Sequence, residues 1–322
     1  MVYIMKRTSK LFLAGLGLVL ASFSTTAYGQ ETKQLEGRWN MVISKDGKEL
    51  PSWLEVRHSG SHTLVGRFVY AMGSARPISE IKLVGDKFRF AIPPQWEEGN
   101  SDLVFEGTMD GEALEGTMLY TDGNTYDWVA KRAPILKYTD KVVWDKPIKL
   151  FNGKDLNGWK AMGENQWVVE NGILKSPHPG ANLMSEEKFT DFKLHVEFRY
   201  PEGSNSGIYL RGRYEVQIID SKGSEPSDIL FGGVYGFLEP NEMAAKSAGE
   251  WQTYDITLIG RRVTIVANGK TIINDQVIPG ITGGALDNDE AEAGPFLIQG
   301  DHGPVEFRNI VVTPIKKSSQ AK

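Results

Sequence analysis

Tyr209, Arg211, Glu215 and Gln217 stand two residues apart on either side of Gly212. In extended chain every second side chain falls on one face, so Tyr209 and Arg211 point one way, and Glu215 and Gln217 share a face beyond the turn. If the turn keeps both faces on one side, a phenol, a guanidinium, a carboxylate and an amide converge. Such groups can move a proton, balance an anion and hydrogen-bond a polar ligand. Val216 and Ile218 take the opposite face, as a core requires. A buried strand rarely presents Arg, Glu and Gln in register, because each costs free energy to bury without a partner. The same spacing also fits a solvated sheet face with surface ion pairs.

Positioning these groups takes a sheet, and strands are what the rest of the chain offers. From 31 to 132 about eight short alternating runs are separated by turn residues, with Asp46-Gly47, Asp110-Gly111 and Asp122-Gly123 as tight-turn dipeptides. That spacing predicts a small antiparallel β-barrel, with Gly66, Gly107 and Gly116 where strands bend. An opening Gly-x-Trp, repeated Leu-x-Gly-x runs and the closing Trp128 to Arg132 loosely resemble lipocalin-like barrels. Trp53 and Trp96 could stack on a sugar ring, but core plugs are the commoner use of tryptophan in such a barrel. His58 and His62 flank Ser59-Gly60-Ser61, which reads as a hairpin turn rather than a metal site.

A linker rich in proline and mixed charge covers 133–149, and a second domain follows over 150–316. A dozen or so strands there, with little helix, predict a two-sheet sandwich. One of these strands is expected over Gly233 to Gly236. The fold class is therefore all-β, a barrel followed by a sandwich, with a frayed tail over 317–322.

Residues 1–29 differ: Lys6, Arg7 and Lys10 precede an apolar run from Leu11 to Phe23, and Ala27-Tyr28-Gly29 supplies small residues for cleavage. This is a secretory signal pattern, its run short for a bilayer span, and it places the mature chain in a bacterial periplasm or outside the cell. The formal charge of −5 becomes −8 once the three signal cations are removed, which argues against nucleic acid or an anionic membrane as partner. The chain has no cysteine, so disulfides, thiolate metal sites and a cysteine nucleophile are excluded.

Over 150–316 several motifs occur in a recognisable order: Leu-Phe-Asn-Gly-Lys-Asp-Leu-Asn-Gly-Trp from Leu150, Phe-x-Asp-Phe-x-Leu-x-x-Glu-Phe-Arg from Phe189, and Ser-Asn-Ser-Gly-Ile-Tyr-Leu-Arg from Ser204. Tyr-Glu-Val-Gln-Ile-Ile-Asp from Tyr214, Gly-Glu-Trp from Gly249, Ala-Asn-Gly from Ala267 and Gln-Gly-Asp-His-Gly-x-Val-Glu-Phe-Arg-Asn-Ile from Gln299 complete the set. Together they resemble the 3-keto-disaccharide hydrolase domain family. Its fold is similar to that of concanavalin-A-like lectins and glucanases, a jelly-roll sandwich with a carbohydrate groove. Gln252 departs from the Asn usual after Glu-Trp, which leaves the role of that amide open.

The resemblance implies cleavage of a glycoside already oxidised at carbon 3. An ordinary glycosidase needs two carboxylates about the scissile bond, and the Glu215 face shows no second acid two or four residues along. A ketone at carbon 3 acidifies the hydrogen on carbon 2, so one base can take that proton and the enolate can expel the aglycone from carbon 1. Water addition then makes the net reaction a hydrolysis; stopping short makes it a lyase. On this reading Glu215 or His302 is the base, Arg211 meets the enolate oxygen, and Gln217, Tyr209 and Asn205 bind hydroxyls. His302 sits in a glycine-flanked turn where a core role is awkward, and Asp301 either orients it or stabilises the turn. Tyr235 is either a platform for a sugar face or core. His195 is groove-facing or solvated, whereas Glu197, Arg199 and Glu250 read as structural pairs. No cofactor is expected; the fold's precedent admits calcium, but no carboxylate run has Ca-loop spacing. The expected partners are the oxidised glycoside and a sugar 3-dehydrogenase acting upstream. The competing reading is a non-catalytic carbohydrate-binding protein.

Overall fold

The structure, a computed structural model, describes residues 32–139 and 141–316. The signal-like segment 1–29 and the 317–322 tail lie outside the described residues. Eight strands come first: β1 (Gly37–Lys45), β2 (Lys48–Ser59), β3 (Thr63–Val69), β4 (Arg76–Val84), β5 (Lys87–Ile92), β6 (Leu103–Asp110), β7 (Ala113–Leu119) and β8 (Thr125–Arg132). Each pairs antiparallel with the next, and β8 returns to β1, closing a barrel. The first hairpin turns on Asp46 and Gly47, both at positive φ (53° and 72°), the backbone that an Asp-Gly pair favours in a two-residue turn. Gly60 to His62 likewise forms the β2–β3 turn, and the His58 imidazole pairs with Glu36 at 2.7 Å.

Alternation sends Trp39, Met41, Ile43, Leu54, Phe68, Phe90, Phe105 and Trp128 into the barrel. Gly107 and Gly116 answer to close packing: a β-carbon on either would overlap the Trp128 indole.

The remaining strands are β9 (Ile148–Lys149), β10 (Trp159–Ala161), β11 (Val168–Glu170), β12 (Ile173–Ser176), β13 (Leu183–Phe189), β14 (Phe192–Arg199), β15 (Asn205–Leu210), β16 (Tyr214–Ile219), β17 (Gln252–Ile259), β18 (Arg262–Ala267), β19 (Lys270–Val277), β20 (Gly294–Ile298) and β21 (Val305–Pro314). One sheet has the order β10-β13-β20-β15-β16; the other runs β11-β12-β21-β14-β17-β18-β19, with β9 beside β21. A single apolar core joins them, Phe192, Val196, Phe198 and Tyr254 from one sheet meeting Ile208, Tyr214, Val216, Ile218 and Phe296 from the other. Phe192 and Phe296 touch edge to face at 4.7 Å. The all-β reading therefore holds, and the sandwich has the two layers that alternation requires.

The strand expected over Gly233 to Gly236 is instead reduced to isolated bridges from Val234 to Val216 and to Leu238. The Gln217 N–H donates to Gly233 O and the Tyr235 N–H to Glu215 O, so this segment caps the free edge of β16 without continuing as a strand. Gly232 and Gly236, both at positive φ, turn the chain away on either side. The 133–149 segment runs beside the end of β21, where Trp144 bridges Ile315 and the Asp145 N–H donates to Pro314 O.

Barrel and sandwich dock through side-chain and backbone donors to main-chain carbonyls. Asn40 donates to the Asn288 carbonyl (2.6 Å) and Asn288 to the Met41 carbonyl (2.7 Å), both buried, and the Gly284 N–H donates to Ala71 O (2.7 Å). At Gly236, Gly280 and Gly283 a β-carbon would collide with Ser74 and Ala75, the Trp53 indole and the Gly73 backbone in turn. Trp53 is buried here, edge-on to Phe237 at 5.3 Å. Such close, hydrogen-bonded contact fixes the barrel against one end of β15 and β16.

Candidate active site

Strand parity builds the floor of a cavity of about 430 Å³. On β15 and β16, Ile208, Leu210, Tyr214, Val216 and Ile218 go to the core, while Asn205, Tyr209, Glu215 and Gln217 face the cavity. Tyr209 and Glu215 are direct register partners. Gly207, two residues before Tyr209 on the same face and opposite Gln217, has no room for a β-carbon, which would overlap the Glu215 carboxylate. β20, paired with β15, leads into the far wall. Gln299 follows it, its N–H donating to Gly207 O (2.9 Å), and Asp301 and His302 come next, both lining the cavity.

The His302 loop is held by its glycines and by Asn182. The Gly300 N–H donates to Asn182 Oδ1 (2.8 Å), and a β-carbon at Gly300 or Gly303 would strike Ala181 O or Ser204 Oγ. His302 Nδ1 lies 2.6 Å from Asp301 Oδ1, so with that nitrogen protonated Nε2 is left for the cavity. This hydrogen bond, partly opposed by burial, raises the His302 pKa above its usual 6.5. Burial alone would raise Asp301, but the His302 hydrogen bond and charge more than offset it and hold the carboxyl below its usual range.

Glu215 is the opposite case. Only 4% exposed, it is pushed up to about 8 by desolvation, with partial relief from the Tyr209 hydroxyl and the His302 charge. The Tyr209 hydroxyl is 2.9 Å from both Glu215 Oε2 and Gly283 O. Its one proton serves Glu215 when that carboxylate is ionised. When Glu215 is protonated, the phenol can donate to Gly283 and accept from Glu215. Burial, and after it the Glu215 charge, raises Tyr235, which stays neutral at the cavity edge.

Arg211 is not in this group. β15 ends at Leu210, and Arg211 takes a left-handed φ of 56°, which breaks the alternation that would have aligned it with Tyr209. Its buried guanidinium donates to Gly260 O, to Glu290 O (3.3 Å) and to the Tyr214 hydroxyl (3.4 Å), beside the buried Arg261–Glu290 pair. It does not line the cavity, so the expected partnership with an enolate oxygen has no place there.

Two amides face the cavity unsatisfied. Asn205 Oδ1 and Gln299 Oε1 are buried without a hydrogen-bond partner, a costly state that a bound polar ligand would relieve. Since an amide can present either its oxygen or its nitrogen, each could accept from or donate to such a ligand. Gln299 belongs to the Gln-Gly-Asp-His motif, but only its neighbours stood out in sequence. Asn182, Met72 and Trp96 also line the cavity, the last two from the barrel. Trp96, expected as a core plug, is 66% exposed.

Elsewhere polar clusters are closed on themselves. His195 pairs with Asp255 at 2.7 Å on the other sheet, Arg199 with Glu306, and Glu197 with Arg308. Gln252 is a buried hub joining Tyr200, Lys246 and Asn268. A wider groove of about 770 Å³ along 133–138 has four arginines on its walls. Arg38, Arg132, Arg261 and Arg262 are each paired there, with Glu55, Glu112, Glu290 and Asp275. Among the described residues no group of three or more His, Asp or Glu is placed to hold a metal ion, and no helix is long and apolar enough to cross a membrane.

Fold and site together define a two-sheet β-sandwich with an acid–base cavity at one sheet, roofed by a barrel. The family model for a 3-keto-alpha-glucoside-1,2-lyase-like domain matches residues 146–313, more than half of the chain, and the chain belongs to that family. A 3-keto-disaccharide hydrolase of Bacteroides thetaiotaomicron is 31% identical over 99 residues, 27% of this chain and 33% of that protein; the match thus spans about a third of the curated relative. Two Parabacteroides distasonis crystal structures, provisionally named glycosyl hydrolases, are also similar. The first is 29% identical with a TM-score of 0.45, covering 56% of this chain and 90% of the other. The second is 18% identical with a TM-score of 0.45, covering 53% and 94%.

Proposed function

We propose that this chain cleaves glycosides oxidised at carbon 3 of the glycosyl unit, by proton abstraction at carbon 2 and elimination at carbon 1. The carrying observation is the pairing, in one cavity, of a buried carboxylate near 8 with a histidine oriented by Asp301. Two groups with displaced proton affinities divide acid and base work between them.

His302 Nε2 takes the carbon-2 proton, and the electron pair moves into a carbon 2–carbon 3 double bond with negative charge on the ketone oxygen. On this reading the amide N–H groups of Asn205 and Gln299 meet that charge, in the role first given to Arg211. The enolate then re-forms the ketone, makes a carbon 1–carbon 2 double bond and expels the glycosidic oxygen, which takes the proton held by Glu215. Water adding hydroxyl to carbon 1 and hydrogen to carbon 2 completes a hydrolysis; release before that step leaves a lyase. Gln217, Tyr209 and Tyr235 bind the remaining ring hydroxyls. The substrate requires an upstream sugar 3-dehydrogenase, and the signal-like pattern of 1–29 supports action of this chain outside the cytoplasm.

A second reading has one observation behind it: Asp301, an acid on a separate loop, also lines the cavity, so two carboxylates are present after all. The commitment of Asp301 to His302 counts against a glycosidase pair. Incubation with 3-keto-trehalose, 3-keto-sucrose and the unoxidised sugars, followed by NMR, separates the readings. Turnover of the ketones alone is expected. Cleavage of both classes favours the carboxylate pair, and binding without cleavage favours a carbohydrate-binding protein.

A further inference from the structure

The groups that would do chemistry lie between Asn205 and His302, inside the family segment, yet the cavity is closed by residues outside it. The barrel contributes Met72, Gly73 and Trp96. None of these can move a proton. A cavity of about 430 Å³ falls in the range that takes ligands larger than a single ring.

The Trp96 turn is built rigidly. Arg76 and Glu97, their side chains 8% and 4% exposed, form a two-pronged ion pair (2.8 and 3.2 Å) beneath it. Glu97 also accepts the N–H groups of Gln95 (2.7 Å) and Trp96 (3.1 Å), and Gln95 exchanges hydrogen bonds with Ser74 on the neighbouring loop. Gly73 makes room, since a β-carbon there would overlap the Gln95 amide and press on the indole. The indole is hydrogen-bonded to the Tyr235 side chain, so barrel and sandwich meet over the cavity. An exposed indole held this firmly offers a fixed apolar face, with the Met72 thioether beside it.

With the oxidised ring placed against Glu215 and His302, what remains for the barrel to touch is the departing half of the substrate. We propose that Trp96 and Met72 form the leaving-group subsite, taking a sugar ring by its apolar face, and that the barrel thereby sets which glycosides are used. This rests on the reaction proposed above.

The experiment compares Trp96→Ala and Trp96→Phe with the wild type on 3-keto-trehalose and on methyl 3-keto-α-glucoside, whose methyl group is too small to reach the indole. W96A is expected to lose about tenfold in kcat/KM on the disaccharide, chiefly through KM, and less than twofold on the methyl glycoside. W96F keeps an aromatic face but cannot donate to Tyr235, and is expected to stay within threefold on both. Equal losses on both substrates, no loss on the disaccharide, or W96F as impaired as W96A would each overturn the subsite. If the wild type converts neither ketone, the reaction falls, and calorimetric binding decides the subsite alone. W96A must then weaken the disaccharide about tenfold and the methyl glycoside less than twofold, or the subsite falls as well.

Discussion

Tyr209 and Glu215 face one another across the β15–β16 register, and the phenol stands 2.9 Å from the carboxylate and 2.9 Å from the Gly283 carbonyl. The hydrogen bond lowers the proton affinity of a carboxyl that burial has raised to about 8. Tyr209→Phe removes it, so the Glu215 pKa should rise further. If Glu215 supplies the proton to the leaving oxygen, the alkaline limb of kcat/KM moves upward by roughly one to two units, since a hydrogen bond to a charged group is worth about 1.5–3 kcal/mol. A pH–rate profile on a 3-keto disaccharide reads this directly.

Folding stability should carry the same signature. Glu215 holds its proton to about pH 8 in the folded chain but releases it near the ordinary 4.5 when unfolded. Between these values the folded state binds more protons, so stability falls as pH rises, by at most about 5 kcal/mol at 1.36 kcal/mol per unit. Glu215→Gln lacks this slope. It is expected to match the wild type near pH 5 and to exceed it at pH 9 in urea unfolding. Parallel curves for the two proteins from pH 5 to 9 would rule out a buried, protonated Glu215.

Activity at the acid end depends on His302 being neutral, and Asp301 raises its pKa above 6.5. Asp301→Asn withdraws that charge, so the rising limb of the profile should move to lower pH while kcat drops roughly tenfold or more as the imidazole loses its orientation. A drop in rate with an unmoved limb would assign Asp301 to the turn alone.

Gly207 gives a steric test. Because a β-carbon there would overlap the Glu215 carboxylate, Gly207→Ala must displace Glu215 or spread β15 from β16. Overpacking of this kind costs about 1–3 kcal/mol, read as a lower melting temperature, and the displaced acid should cost more than tenfold in kcat. Gly111→Ala, at a hairpin tip where the added carbon meets nothing and only the positive φ of 61° resists alanine, should lower the melting temperature without touching kcat.

Much of this was legible in strand parity. The alternation of Val216 and Ile218 against Glu215 and Gln217 separates core from cavity, and the spacing of turn dipeptides marks the barrel. Arg211 was misplaced because its left-handed backbone, in a residue that is not glycine, has no signature in the local spacing. Asp301 was read only as the orienter of His302 or a stabiliser of its turn, and its standing as a second acid beside Glu215 was missed because it lies on the loop after β20 and not along the Glu215 face. Of the two readings open for Trp96, sugar platform and core plug, spacing alone favours the plug for a similar reason. A tryptophan at a barrel rim reads as a plug until the docking of Ala71 on Gly284 turns that rim toward β15 and β16.

The reassignment of Arg211 can itself be tested, because the two roles predict opposite outcomes. As the partner of a developing oxyanion, its loss would cost about 10²–10³ in kcat and little in stability. In the structure it satisfies Gly260 O, Glu290 O and the Tyr214 hydroxyl, all within a buried network around Glu290. Arg211→Ala strips several buried acceptors of their donor, which costs about 2–4 kcal/mol in stability. Below its lowered melting temperature the variant is expected to keep kcat within threefold of the wild type, since the cavity lining is untouched. Urea unfolding and steady-state kinetics on the same preparation decide the matter: a stable but inactive R211A would return the arginine to the chemistry.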